Sequence, residues 1–174
     1  PRCGSSPIDQ LREAEMLPTT QDVKPKIRRT HLALFVKDPF QSAAWYEDIL
    51  GMTVTARGER WVFLSFGQKH HDIALIQPDE GSSELTRGTI NMQHYGLEIS
   101  GSMEDFQRLY GMLLRKNVPV VKTTDHKVGY GLYFTDPDGH RFEFFFETIH
   151  DDEEGRRVLG HYNAPSEPFD LQPL

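Results

Sequence analysis

The hydrophobic and polar positions of this 174-residue chain divide it into a polar start, a twice-repeated block and an acidic end. Residues 1–29 are polar and interrupted by Pro7, Pro18 and Pro25, which predicts an extension with at most one short helix near Ile8 to Leu17. From His31 to Val36 (HLALFV) the pattern is that of a buried strand. Asp38 and Pro39 form a helix-start signal, and Phe40 to Leu50 carries apolar residues near helical spacing until Gly51 ends it. Met52 to Arg57, Trp61 to Phe66 and Asp72 to Gln77 then read as strands, with Gly58 and Gly67 in the turns. After a polar linker over residues 78–93, the order recurs. His94 to Ile99 is a strand, and Met103 to Lys116 is a helix with Phe106, Leu109, Tyr110, Leu113 and Leu114 inward. Val118 to Lys122, Tyr130 to Thr135 and Arg141 to Phe146 complete the second block, with Asp136-Pro137-Asp138-Gly139 as a tight turn.

The chain therefore reads as β-α-β-β-β twice, with His31-Leu32-x-Leu34 matching His94-Tyr95-x-Leu97. The expected fold is α+β: two tandem βαβββ modules, residues 31–77 and 94–147, whose strands curl as a mixed sheet around one metal cavity. They form a single domain over residues 30–149. The tail, 150–174, is acidic and then Pro-rich, and is expected to pack irregularly.

Composition narrows the function. Nineteen Lys and Arg against 26 Asp and Glu leave a net charge of −7, which disfavours nucleic-acid and anionic-membrane surfaces. The single cysteine, Cys3, excludes an internal disulfide and any Cys-rich metal site, and fits a reducing, cytoplasmic setting. No apolar run approaches the roughly 20 residues of a membrane span. Eight histidines remain to be explained.

Strand alternation gives His31 and His94 equivalent positions in the two blocks. Glu143 interrupts the apolar run Phe142 to Phe146, where a carboxylate is costly unless paired or bound to a cation. Two histidines and one carboxylate make a facial triad that leaves open positions on a divalent metal. As ordinary structure, a lone histidine is a surface or core residue and Glu143 faces solvent; the repeat argues for a shared site instead.

The stretch from His31 to Glu147, with its two His-initiated blocks and the run Tyr133-Phe134-Thr135-Asp136-Pro137-Asp138-Gly139-His140-Arg141-Phe142-Glu143, resembles the vicinal oxygen chelate superfamily. This group includes glyoxalase I, fosfomycin-resistance transferases, bleomycin-binding proteins and extradiol dioxygenases. The resemblance implies metal ligation by His31, His94 and Glu143. Among the branches, a glyoxalase-type carboxylate is missing from the centre of Asp72–Gln77. The threonine expected two residues after the first ligand in fosfomycin transferases is Ala33, and their phosphonate-binding arginine has no match. Bleomycin-binding members lack the triad. Extradiol dioxygenases carry a His-His pair matched by His70-His71, a tyrosine ten residues before the Glu, which is Tyr133, and a further pocket histidine, for which His126 is the candidate. The resemblance thus implies Fe(II), with Mn(II) also accommodated, catalytic roles for His71, His126 and Tyr133, and a small aromatic diol and O2 as substrates in a homo-oligomer. A metal-dependent lyase, isomerase or transferase is the alternative, and a non-catalytic binder of small aromatics is a third reading.

Overall fold

The computed structural model describes residues 27–84 and 90–174. The fold lies in residues 31–174, a unit separate from residues 1–30. The short helix expected near Ile8 to Leu17 falls outside the described residues.

Both predicted modules are present. The first comprises β1 (Leu32–Phe35), α1 (Pro39–Leu50), β2 (Thr53–Arg57), β3 (Trp61–Ser65) and β4 (Ile73–Ile76). The second comprises β5 (Tyr95–Glu98), α2 (Met103–Arg115), β6 (Val120–Asp125), β7 (Gly129–Thr135) and β8 (Arg141–Glu147). The sheets have matching orders, β1-β4-β3-β2 and β5-β8-β7-β6, with β1 parallel to β4 and β5 parallel to β8. They remain two sheets and do not close into a barrel.

Local chemistry sets the helix ends. The Asp38 carboxylate accepts from the Phe40 and Gln41 amides at 2.9 and 3.1 Å, Pro39 occupies the first turn, and Gly51 ends α1 at φ 66°. Ser102 and Asp105 form a reciprocal capping box on α2.

The modules meet through α1. Ser42 Oγ donates to Asp138 at 3.0 Å and the Tyr46 hydroxyl donates to Asp136 at 2.8 Å. The Trp45 and Tyr46 rings pack against Phe134 and Phe142 of the second sheet. Burial pushes the Tyr46 phenol well above its ordinary pKa, and the neighbouring Asp136 charge adds to the effect. On β8, Phe142 and Phe144 are buried in the core, and Phe146 packs against its edge, stacked on Phe106 of α2. Glu143 and Phe145 consequently face the opposite side.

The tail departs from the expectation of irregular packing. It forms α3 (Asp152–His161), capped by the Asp151 side chain on the Glu154 amide, and a two-residue strand β9 (Glu167–Pro168) paired with β6. Phe169 stacks on Tyr130 with centroids 4.2 Å apart, and Leu171 is buried in the core. Aromatic stacking and one added strand therefore hold a segment whose composition alone suggested no order. No helix among the described residues is long and apolar enough to cross a membrane.

Candidate functional site

On its open face the second sheet carries a cavity of about 290 Å³. One end is formed by His94, His126, Tyr133 and Glu143; the rest of the lining is largely apolar, with Val128, Phe145, Phe146 and Leu159 beside Glu147. Glu143 is only 7% exposed. Its carboxylate has room because β7 carries Gly131 two residues before Tyr133, the residue paired with Glu143: a Cβ at Gly131 would collide with Glu143, Thr124 and Tyr133. The sequence reading passed over Gly131, although an isolated glycine inside a strand pattern signals close approach of this kind.

His94 lies one residue before β5, and its Nε2 is 3.0 Å from Glu143 Oε2. Its Nδ1 hydrogen-bonds the Gln93 side-chain oxygen. A carbonyl oxygen only accepts, so Nδ1 donates to Gln93, and Nε2 faces the Glu143 carboxylate. Two electron-rich atoms so placed call for a proton or a cation between them. A nitrogen and an oxygen donor, with the ring oriented through its other nitrogen, suit a divalent metal.

His126 follows β6 directly, because that strand runs to Asp125 rather than stopping at Lys122. Its Nδ1 donates to the Pro165 carbonyl at 2.7 Å, which leaves Nε2 as an acceptor. Nε2 is 2.9 Å from Thr124 Oγ1, 3.1 Å from the Tyr133 hydroxyl and 3.6 Å from Glu143 Oε1. Burial raises the Tyr133 pKa, and the Glu143 carboxylate reinforces the shift, so the phenol keeps its proton at neutral pH. Lys122 Nζ sits 4.5 Å from the Tyr133 ring centroid. Thr124 and Pro165 were not legible as site residues in the sequence.

His31 and His71 lie elsewhere. Their ring centroids are 5.0 Å apart, His71 stacks on Phe63, and neither lines the cavity. His70 Nδ1 is 2.7 Å from His71 Nδ1. The six residues expected at one site thus form two groups, four on the second module and two on the first. Among the described residues no set of three or more His, Cys, Asp or Glu side chains is arranged to hold a metal ion. Within one chain, His94 and Glu143 face each other without His31. A larger cavity, about 780 Å³, lies beside the start of the linker and contains none of the six. Its cations Lys37 and Arg60 are paired with Glu84 and Asp79.

Residues 28–144 match the model of the glyoxalase/bleomycin resistance protein/dioxygenase superfamily. The chain belongs to this superfamily. Metallothiol transferase FosB of Staphylococcus epidermidis is 32% identical over 70% of this chain and 82% of its own length. Biphenyl-2,3-diol 1,2-dioxygenase 3 of Rhodococcus globerulus is 28% identical over 73% of this chain and 67% of its own. The fold is shared with a variant of the fosfomycin resistance protein FosX from Listeria monocytogenes, solved with Mn(II) and a dihydroxypropylphosphonic acid. That structure has a TM-score of 0.56 and 21% identity, covering 75% of this chain and 98% of that one. Metal dependence is a property of the superfamily, and the match ends before Phe145, so α3 and β9 lie beyond it.

Proposed function

We propose that this superfamily member is a divalent-metal-dependent enzyme acting on a small organic substrate, with His94 and Glu143 as two protein ligands and His31 as the third. The observation that carries the proposal is the buried Glu143 carboxylate facing His94 Nε2 at 3.0 Å. Because His31 stands apart from this pair in one chain, the reading requires a second copy to bring its own His31 to the site. Members of this superfamily often act as oligomers.

A bound divalent ion supplies Lewis acidity to substrate oxygens. The protein does the rest. Tyr133, held protonated, donates to and orients a substrate oxygen. His126, with Nδ1 tied to Pro165, presents Nε2 as a proton acceptor beside that oxygen.

The resemblance to FosB favours a non-oxidative reaction class, lyase, isomerase or transferase, over ring cleavage. Ring cleavage of a catechol with Fe(II) and O2 is the second reading. It is supported by Tyr133 and His126 grouped at Glu143 and by the diol dioxygenase relative. Metal analysis of anaerobically purified protein, read beside oxygen uptake with a catechol panel, separates the two. Manganese, zinc or nickel without oxygen uptake supports the first; iron with stoichiometric uptake supports the second; failure to retain any metal after reconstitution overturns both. For the shared site, His31→Ala and Glu143→Gln are each expected to be inactive. Co-assembled in equal amounts, half of the dimers are mixed and keep one intact site of two, so about a quarter of wild-type activity returns. No recovery would place the third donor elsewhere.

A further inference from the structure

The cavity has a wall that the superfamily domain does not supply. Leu159 lines it from α3, beyond the matched residues 28–144. The helix reads DEEGRRVLGH and has no buried residue. Leu159, 38% exposed, belongs neither to the core nor to the residues packed against it. Its apolar surface therefore serves the cavity rather than folding. The segment is anchored on both sides of the site. The Pro165 carbonyl holds His126, β9 pairs with β6, and the Leu174 amide donates to Gln107 at 3.2 Å.

Charge points the same way. Among the described residues no Lys or Arg lines the cavity, whereas Glu143 and Glu147 do. Of the cations around it, Lys122 lies over the Tyr133 ring, Lys127 pairs with Asp125 and Glu167, and the Arg141 charge acts on Tyr133 from outside the lining. Beyond the metal-facing end, a phosphonate dianion would meet the Glu147 carboxylate and, among the described lining residues, no Lys or Arg. An uncharged ligand with its oxygens at the polar end and an apolar body would instead lie against Val128 and Leu159.

We propose that the C-terminal segment is the specificity element of this site, and that Leu159 on α3 selects uncharged ligands whose apolar body extends past the metal-facing end. This rests on the reading of His94 and Glu143 as that end, and holds for either reaction class.

The test uses the full chain, reconstituted with diamagnetic Zn(II) and labelled at Leu and Val methyl groups. It is titrated with 2,3-dihydroxybiphenyl, with catechol, which lacks the second ring, and with phenylphosphonate. The biphenyl diol should shift the Leu159 and Val128 methyls and bind about tenfold more tightly than catechol, the size expected for a modest apolar contact. Leu159→Ala should weaken the biphenyl diol by about tenfold and catechol by less than about twofold. Leu159→Met should restore the preference. Equal effects on both diols, no effect on either, no binding of the biphenyl diol, or phenylphosphonate binding as tightly as that diol would overturn the proposal. Metal retention by wild type and Glu143→Gln is measured separately. Unchanged retention in the variant overturns the ligand reading, whereas the two diols alone decide the role of Leu159.

Discussion

The two modules share one lattice and fill it differently. In the first, Ala33 of β1 pairs with Ala74 of β4, and Phe63 of β3 lies opposite Ala74. In the second, the same positions hold Gly96, Glu143 and Tyr133. One step along, Trp61 opposite Ile76 is replaced by Gly131 opposite Phe145. The first module stacks Trp61, Phe63 and His71 with neighbouring centroids 4.5 and 4.6 Å apart. The second removes a ring, leaves a hollow and puts a carboxylate beside it. A duplicated fold thus separates its duties by side-chain volume: bulk makes an aromatic face, and glycine makes a donor pocket.

The strongest way to break this comparison is to make the second module resemble the first. Glu143→Ala reproduces Ala74 and should cost metal affinity at least about 100-fold, more than an outer partner of a ligand typically does. Unchanged metal content, measured by atomic emission after dialysis, would remove Glu143 from the ligand set. Gly131→Ala is a smaller version of the same change. Its Cβ meets Glu143, Thr124 and Tyr133, so strain of about 1–3 kcal/mol and partial metal loss are expected. Denaturant unfolding and metal content together test it, and wild-type values for both would mean that the hollow is not needed.

The seam between the modules gives the smallest effect. Tyr46→Phe removes the donor to Asp136 and should destabilise the protein by about 1–2 kcal/mol at neutral pH. The pH dependence follows from the raised Tyr46 pKa. Below about pH 10, folded and unfolded chains both keep the proton, and the contribution of the neutral phenol is intact. Above that, the unfolded state ionises first, so stability falls by up to about 1.4 kcal/mol per pH unit. The variant should lose this part of the alkaline slope. Parallel slopes for the two proteins would contradict the burial argument.

Much of this was legible in the pattern of residues. Periodicity located both helices and most strand cores, Asp38-Pro39 and Gly51 marked the ends of α1, and the Asp136–Gly139 turn was read from its residue types. The repeat placed His31 and His94 at matching addresses, immediately before β1 and β5. Glu143 stood out as a carboxylate among phenylalanines, and Tyr133 and His126 were named from the resemblance. The course of β6 was read short, because Thr123, Thr124 and Asp125 look like loop residues until β7 and β9 pair with them. The tail was read as irregular for a related reason. Its order comes from Phe169 on Tyr130 and from Leu171 in the core, contacts over long sequence separations.

By itself, then, the sequence determined the local elements, the duplicated order and the donor types, since these depend on spacing, caps and side-chain chemistry near each residue. The tertiary structure decided which of those donors meet. The sheets stay separate, with α1 packed against the second sheet through Tyr46 and Trp45, so His31 sits with His71 while His94 and Glu143 share a cavity. It also decided that Leu159, on a separate helix beyond β8, lines that cavity. Equivalent addresses in a repeat do not ensure proximity, because packing between modules, not periodicity within them, sets the distance.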